Sequence, residues 1–178
     1  MLKSHASKIN VVSRGKGWLK LKKDYIEGMS DSLDCVVLGA WRGSGRKSRW
    51  YSPFLVGVKN AEGEYGSICR VMSGFTDEVY QKLYDKFSKL IVAAKPYGVS
   101  TEENAIWFDL EHSEVWEIKG ADLTLSPKHR ACNSFMSEGT HVGIGLRFPR
   151  FIRAREDKAL GDASTAEMVM KMYNAQFE

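Results

Sequence analysis

The order of the apolar segments constrains the fold of this chain more than any other feature of its sequence. Five segments are rich in Val, Ile and aromatic residues and are bounded by Gly, Ser or charged residues, a pattern typical of β-strands. They are residues 33–41, 53–59, 65–72, 113–125 and 142–151. Residues 59–63 (KNAEG) lie between the second and third segments and predict a hairpin loop. The sequence therefore predicts a mainly β protein.

Between the third and fourth segments the apolar residues follow a helical period instead. Val79, Leu83 and Phe87 recur at four-residue intervals, which places them on one face of a helix. Thr76 precedes this stretch and can cap it, and two acidic residues come next, where the positive end of the helix dipole favours them. One α-helix is therefore expected between strands 3 and 4.

A second helix is expected at the end of the chain, from about Ala166. Ser164 and Glu167 have the spacing of a capping box, and Val169 and Tyr173 can form a buried stripe. Five strands with a helix between the third and the fourth is the order of the OB-fold, whose strand face and loops commonly bind oligonucleotides. The predicted fold is thus a mainly β, five-stranded OB-fold barrel with a helix between strands 3 and 4 and a C-terminal helix.

Several classes of protein are excluded by composition. No apolar run approaches the roughly 20 residues of a membrane span, so a transmembrane protein is not expected. The N-terminal segment MLKSHASKIN has no continuous apolar stretch and predicts no secretion signal. The three cysteines are far apart without a CxxC pattern, and the four histidines are scattered. We therefore expect no disulfide framework, no metal site and an intracellular, reducing location.

Charge is distributed unevenly along the chain. Residues 1–60 carry 12 basic and 4 acidic side chains, a net charge of +8, whereas residues 61–178 carry 14 and 18. Residues 127–178 return to a net charge of +2. Basic ends around an acidic centre indicate a polyanionic partner on one face, and an unevenly charged, solvated surface is the alternative.

The first basic cluster lies near the N-terminus, in the segment WLKLKKDY at residues 18–25. If residues 18–22 form a strand, Lys20 and Lys22 share one face with a spacing of about 7 Å, and their ammonium groups can bind a phosphate chain. An exposed edge strand with solubilising lysines explains the same spacing.

The second basic cluster is the glycine-rich loop RGSGRKSRW at residues 42–50. Glycines allow the backbone to approach a ligand closely, and the loop cations Arg42, Arg46, Lys47 and Arg49 can neutralise phosphates. The loop lacks the Walker pattern and is not a mononucleotide-binding loop. A flexible basic loop with no partner is the alternative.

The third basic cluster is the segment RFPRFIRAREDK at residues 147–158. Arg147, Arg150 and Arg153 alternate with aromatic residues, which suits contacts to a nucleic-acid backbone combined with an apolar wedge. Phe151 fits the core, whereas Phe148 precedes a proline at an expected strand irregularity. In the last four residues, Asp157 can fix the fork of Arg155 by an ion pair and leave Lys158 free for phosphate.

Several of these blocks, in this order, resemble the C-terminal part of eukaryotic-type ATP-dependent DNA ligases, which belong to the covalent nucleotidyltransferase superfamily. The blocks are WLKLKKDY at 18–25 followed by DSLD at 31–34, GFTDE at 74–78, WEIK at 116–119, ADLTLSP at 121–127 and the segment 147–158, which contains the family's RxDK motif at 155–158. The resemblance covers residues 1 to about 158. Because the family's nucleophile is the lysine of a KxDG motif and these 178 residues contain none, this chain alone is predicted to be inactive.

The resemblance implies three parts and a set of ATP contacts. Residues 1–25 correspond to the end of the adenylation domain, 26–160 to an OB-fold DNA-binding domain and 161–178 to a C-terminal helix. By resemblance, the ATP or AMP phosphates are contacted by Lys3, Lys20 and Lys22. Likewise the pyrophosphate leaving group is oriented by Arg155, Asp157 and Lys158. ATP and Mg²⁺ are implied for the parent enzyme, with neither bound tightly by this chain.

The resemblance also implies a DNA surface and partners. Arg147 and Phe148 correspond to residues at the minor groove beside a nick, and the other expected DNA contacts are Arg42, Arg46, Lys47, Arg49, Arg150 and Arg153. Residues 23–33 correspond to the hinge about which the domain swings. Implied partners are nicked duplex DNA, an adenylation domain and an N-terminal DNA-binding domain. Nuclear location and roles in replication, repair and recombination follow from the same resemblance.

Two other functions fit parts of the sequence. A stand-alone OB-fold module that binds single-stranded nucleic acid has exposed aromatic residues across its strand face and has no use for Lys20, Lys22 or the 155–158 motif. A fragment of a capping enzyme or RNA ligase shares RxDK, but the segments 116–127 and 147–158 favour a DNA ligase.

Overall fold

An antiparallel meander of three strands forms the centre of the structure. The computed structural model describes residues 2–3, 18–19 and 31–177. The meander consists of β3 (Ser32–Arg42), β4 (Tyr51–Lys59) and β5 (Tyr65–Val71), and it is preceded by a two-residue ladder between β1 (Leu2–Lys3) and β2 (Trp18–Leu19). The turn at residues 59–65 is the predicted hairpin loop.

Seven shorter strands follow the meander; five of them extend it into an eight-stranded main sheet, and the other two form a separate pair. They are β6 (Ile91–Val92), β7 (Val99–Ser100), β8 (Ile106–Phe108), β9 (Val115–Lys119), β10 (Asp122–Ser126), β11 (Gly143–Arg147) and β12 (Arg150–Ala154). The main sheet has the order β12-β9-β3-β4-β5-β7, with β8 also paired to β3 and β6 to β8, while β10 and β11 form a separate pair. The mainly β class is confirmed, but the ladders of the described residues do not close into a barrel.

Two of the predicted strands are each divided into two. The segment 113–125 becomes β9 and β10, and the segment 142–151 becomes β11 and β12. Phe148 has a positive φ of 51° and Pro149 cannot donate a backbone hydrogen bond, so the second segment breaks there. The two breaks face each other, because Arg147 pairs with Asp122 while Arg150 pairs with Lys119. Both segments therefore leave the main sheet at one corner.

The two helices lie where the apolar spacing predicts them. Helix α1 (Asp77–Phe87) follows Thr76, whose hydroxyl accepts a hydrogen bond from the Val79 backbone N–H at 3.3 Å, as predicted. Helix α2 (Ala166–Ala175) begins at the predicted residue, but its cap is Thr165, and the predicted capping box at Ser164 is wrong. Ser164 is buried and accepts a hydrogen bond from Asp34 instead. Neither helix has the length and apolar character needed to traverse a membrane.

A cluster of aromatic side chains fills the core between the main sheet and helix α1. Trp116 is fully buried, and its ring lies 4.9 Å from Phe54, 5.0 Å from Phe151 and 6.0 Å from Phe87 between ring centroids. Phe75 stacks on Phe151 at 4.5 Å, so the predicted core position of Phe151 is confirmed. These edge-to-face and stacked contacts hold the helix against the sheet.

The three cysteines are buried free thiols. Cys35 and Cys69 lie on the central strands, as expected for small core residues. Burial raises the pKa of the Cys132 thiol to about 12 and raises the pKa values of the other two thiols as well. These thiols are therefore protonated at neutral pH and unreactive.

His129 has a buried partner that the sequence did not indicate. Its Nδ1 lies 3.1 Å from the hydroxyl of Ser67, which donates to Thr101, and burial lowers the pKa of His129 to about 4. In the unfolded chain the imidazole of His129 takes up a proton near pH 6.5, whereas in the folded chain it does so only near pH 4. We therefore expect the free energy of unfolding to fall by up to about 3 kcal/mol as the pH drops through this window.

Urea unfolding of the wild type and of His129→Gln, between about pH 7 and about pH 4.5, tests this expectation. The difference between the two proteins isolates the histidine from the carboxylates that titrate in the same range. An identical pH dependence in both proteins would show that His129 does not resist protonation in the fold.

Candidate functional site

The end of strand β12 carries a cluster of two basic and two acidic side chains. We call it the Asp34 cluster; its members are Asp34, Arg155, Asp157 and Lys158. Strand β9 pairs with β3 on one side and with β12 on the other, which brings Asp34 of β3 close to the residues that follow β12. The backbone N–H of Arg155 also donates to the Val115 carbonyl at 2.7 Å and fixes the exit of the chain from the sheet.

The ion pairs of the Asp34 cluster share one arginine and one aspartate. Arg155 donates from Nε and Nη2 to the two carboxylate oxygens of Asp157, at 2.9 and 2.8 Å. Arg155 Nη1 lies 3.1 Å from Asp34 Oδ1, and Lys158 Nζ lies 2.7 Å from Asp34 Oδ2. The predicted Arg155–Asp157 pair is confirmed, whereas the prediction that it leaves Lys158 free is wrong.

This arrangement affects the titration of the pair. The hydrogen bonds from Arg155 hold the pKa of Asp157 well below its usual range, and the same contact raises the pKa of Arg155. Both groups therefore stay charged at neutral pH, and the bidentate geometry fixes the plane of the guanidinium. The motif presents an arginine whose orientation is already set.

A second group of functional residues lies at the other end of β12, around the Phe148 turn. Phe148 has the left-handed backbone conformation noted above, and half of its side chain is exposed. The guanidinium of Arg147 lies 5.1 Å above the Phe148 ring, and its Nη1 is 3.4 Å from Asp122 Oδ2. Arg153, further along the strand, donates to Glu117 at 2.9 Å and lowers the pKa of that carboxyl. The turn therefore exposes an aromatic ring beside cations.

The glycine-rich loop is anchored to helix α1 and its surroundings. Arg46 pairs with Asp77 at 2.7 Å, and Arg42 donates to the hydroxyl of Tyr84 at 3.4 Å. Lys47 donates to the Met72 carbonyl at 2.9 Å. A Cβ at position 43 would lie 2.0 Å from the Lys47 carbonyl oxygen, so this turn requires the glycine. The loop has a defined conformation, and the exposed ion pair of Arg46 with Asp77 contributes little to stability and can exchange for phosphate.

The glycine-rich loop and the residues after the Phe148 turn both approach one short segment, residues 72–74. Lys47 contacts the carbonyl of Met72, while the backbone N–H of Phe151 donates to the Ser73 carbonyl at 2.8 Å. Arg150 also approaches this segment, since its Cγ lies 3.0 Å from a Cβ built on Gly74. The structure thus brings the loop cations and the start of β12 to one surface. The Asp34 cluster lies at the other end of β12, about 17 Å from this surface, because each of the five residues of the strand adds about 3.3 Å.

Of the three residues that the resemblance assigns to the ATP phosphates, only Lys3 lies among the described residues. Lys3 belongs to the β1–β2 ladder, where it pairs with Trp18, and Lys20 and Lys22 lie outside the described residues. The part of the chain that the structure describes contains no group of three or more His, Cys, Asp or Glu side chains that could hold a metal ion.

Sequence reasoning did not identify Asp34 as a site residue. The available signal was its position between Leu33 and Cys35, both fully buried, because a carboxylate inside an apolar strand needs a charged partner. The sequence could not indicate that this partner lies more than 120 residues away.

The chain is similar to a well-defined group of proteins. Residues 47–158 match a family model described as the ATP dependent DNA ligase C terminal region. The chain is 44% identical to DNA ligase 6 of Arabidopsis thaliana over 92% of its length, and 39% identical to DNA ligase 1 of Saccharomyces cerevisiae over 99% of its length. It spans only 12% and 23% of these two curated relatives, respectively.

Solved structures show a similar fold. The ligase domain of M. tuberculosis LigD matches with a TM-score of 0.56 at 17% sequence identity, over 76% of this chain and 38% of that one. A mycobacterial DNA ligase D complexed with ATP and MES matches with a TM-score of 0.52 at 19% identity, over 77% and 38% of the two chains.

Proposed function

Because this chain belongs to the C-terminal region of the ATP-dependent DNA ligase family, we propose that it is the OB-fold part of an enzyme that seals nicks in duplex DNA. The observation that carries this proposal is the separation of two groups of basic side chains at the two ends of β12. One group is the Asp34 cluster, in which three side chains are partly buried and Asp157 is exposed. The other is the exposed surface around Phe148 and the glycine-rich loop.

An OB-fold is supported by the pairing of the longer strands. Strand β3 pairs with β4 and β9, β4 pairs with β5, and β9 pairs with β12, while helix α1 lies between β5 and β9. We assign the fifth OB strand to the bent segment formed by β11 and β12, which the Phe148 turn divides. The proposed division remains residues 1–25, 26–160 and 161–178.

The Asp34 cluster suits the first step of the reaction. In this family a lysine attacks the α-phosphate of ATP, AMP then passes to the 5′-phosphate of a nick, and the 3′-hydroxyl finally displaces AMP. Catalysis of such phosphoryl transfers consists mainly of positioning and charge neutralisation. Arg155 and Lys158 would balance the charge of the departing pyrophosphate, with Asp157 orienting the arginine. The Mg²⁺ implied by this chemistry has no group of ligands among the described residues.

The exposed surface suits the later steps. Arg147 and Arg150, together with the cations of the glycine-rich loop, would contact DNA phosphates, and the ring of Phe148 would enter the minor groove as a wedge. The two groups lie at opposite ends of β12, about 17 Å apart, and we assign them to different steps. The domain would therefore turn between steps, and most of the proposed hinge, 23–33, lies outside the described residues.

The partners would be nicked duplex DNA, an adenylation domain and an N-terminal DNA-binding domain. Nuclear location and roles in replication, repair and recombination remain predictions. A stand-alone module for single strands fits less well, because the aromatic residues that are exposed in the described chain, Tyr97, Phe135, Phe148 and Phe177, all lie outside its strands.

Binding of nicked duplex DNA tests the proposed DNA surface. If this domain neutralises about four phosphates, the logarithm of its affinity should fall with the logarithm of salt concentration at a slope of about −3 to −4. Arg147→Ala should reduce the magnitude of this slope by about one, because one phosphate contact is lost. Phe148→Ala should weaken binding at every salt concentration without changing the slope, because the ring carries no charge. Fluorescence anisotropy measures both quantities.

Tyr97→Ala is the matched control, since Tyr97 is a fully exposed aromatic residue in a different loop, and it should bind like the wild type. Binding that is independent of salt, or a strong preference for single strands over duplex, would favour the stand-alone module instead.

A further inference from the structure

Asp34 is the carboxylate on which both cations of the C-terminal motif converge. Its Oδ2 atom lies 2.7 Å from Lys158 Nζ and 3.4 Å from Arg155 Nη1, and its Oδ1 atom lies 3.1 Å from the same Nη1. The side chains of Asp34 and Arg155 are 15% and 17% exposed, so water screens these ion pairs only partly. Two like charges are held side by side because one carboxylate balances them.

The backbone of Asp34 is fixed by Ser164. The Asp34 N–H donates to Ser164 Oγ at 2.9 Å, and the Ser164 N–H donates back to the Asp34 carbonyl at 2.8 Å. Within the strand, Asp34 lies between two fully buried neighbours, which excludes a shift of register. Lys158, in contrast, is a long and flexible side chain outside any strand, and it is 29% exposed. If the ion pair opens, the lysine moves and the carboxylate stays.

The charges of the Asp34 cluster cancel, with two positive and two negative groups. An incoming polyphosphate therefore meets cations that already have a counter-ion and has to compete with Asp34 for them. Asp157 binds Arg155 in a bidentate manner and is 59% exposed, whereas Asp34 bridges the two cations. The competition at Lys158 is thus set by Asp34.

We propose that Asp34 is a positioning residue that acts as an internal counter-ion for Arg155 and Lys158. It holds the two cations together in the absence of a polyphosphate, releases Lys158 to pyrophosphate, and recovers the lysine when pyrophosphate leaves. No covalent bond is made or broken in this exchange, since one anion replaces another as the partner of Lys158. The inference rests on the proposed action of Arg155 and Lys158 on pyrophosphate.

Titration of this chain with inorganic pyrophosphate, at low salt and without metal, tests the inference by calorimetry. Asp34→Asn keeps the shape of the side chain but removes the competing charge, so it should bind pyrophosphate about tenfold more tightly than the wild type. Adding Lys158→Ala to this variant should abolish the gain. Glu102→Gln is the matched control, because it removes the same charge from a pair with Arg130 and should change the affinity less than about twofold.

An unchanged or weaker affinity in Asp34→Asn, or an equal gain in Glu102→Gln, would overturn the inference. A loss of fold would not produce tighter binding, so the expected gain cannot come from a merely structural role. The wild type gives a second measurement, since saturating pyrophosphate should shift the ¹³C resonances of the Asp34 carboxyl and the Lys158 side chain. Unmoved resonances at saturation would also overturn it.

The failure of the inference differs from the failure of the proposed function. If Arg155→Ala and Lys158→Ala weaken pyrophosphate binding but Asp34→Asn does not strengthen it, only the counter-ion role is wrong. If these two alanine variants bind pyrophosphate like the wild type, or if no protein binds it at its highest soluble concentration, the motif has no role towards pyrophosphate and both proposals fail.

Discussion

Arg155→Ala is expected to reduce the formation of lysyl-AMP about tenfold to a hundredfold and to leave the sealing of a pre-adenylated nick within about twofold of wild type. The reason is that Arg155 is proposed to contact pyrophosphate, which is present only in the first step. The alanine variant also leaves Asp157 without its bidentate partner. A suitable enzyme is DNA ligase 1 of S. cerevisiae with its matching C-terminal segment replaced by this chain, which is 39% identical to it.

Arg147→Ala is the matched control, because it removes the same side chain from the Phe148 turn, which precedes β12. It should show the reverse pattern, with normal lysyl-AMP formation and slower sealing of the pre-adenylated nick. Single-turnover assays with labelled ATP and with pre-adenylated nicked DNA separate the two steps. Equal damage to both steps in Arg155→Ala would show that this domain does not present its two ends in turn.

Trp116→Ala is expected to lower the free energy of unfolding by about 3–5 kcal/mol. Trp116 is fully buried and contacts aromatic rings from the sheet, helix α1 and β12, so truncation leaves a large cavity among them. The indole N–H also donates to Glu114 at 2.7 Å, and that carboxylate loses a partner. Such a loss is a large share of the total stability of a domain of this size.

Urea unfolding measures this loss in the free energy of unfolding. Far-UV circular dichroism is the signal to follow, because it reports secondary structure and does not rely on the removed tryptophan. Tyr97→Ala removes an aromatic ring that is fully exposed, and its free energy of unfolding should stay within about 0.5 kcal/mol of wild type. A loss below about 1 kcal/mol in Trp116→Ala would mean that the aromatic cluster is not the main stabilising contact between helix α1 and the sheet.

Local sequence patterns determined the type and place of most elements. The apolar runs predicted the meander of β3, β4 and β5, and the four-residue spacing predicted helix α1 with its Thr76 cap. These features depend on residues close in sequence, since strand alternation and helix periodicity act over a few positions. The ordered motifs likewise indicated the family, because each of them is a short contiguous block.

Only the tertiary structure decided which distant groups meet. The pairing of Lys158 with Asp34 joins residues 124 positions apart, and no local pattern records such a contact. The same holds for Ser164, which binds Asp34 while Thr165 caps the helix. Pro149 predicted the irregularity at Phe148, but only the strand pairing shows that this break faces the break between Lys119 and Asp122. The sequence thus determined the charged groups of the site, while packing of the strands decided that their charges neutralise one another.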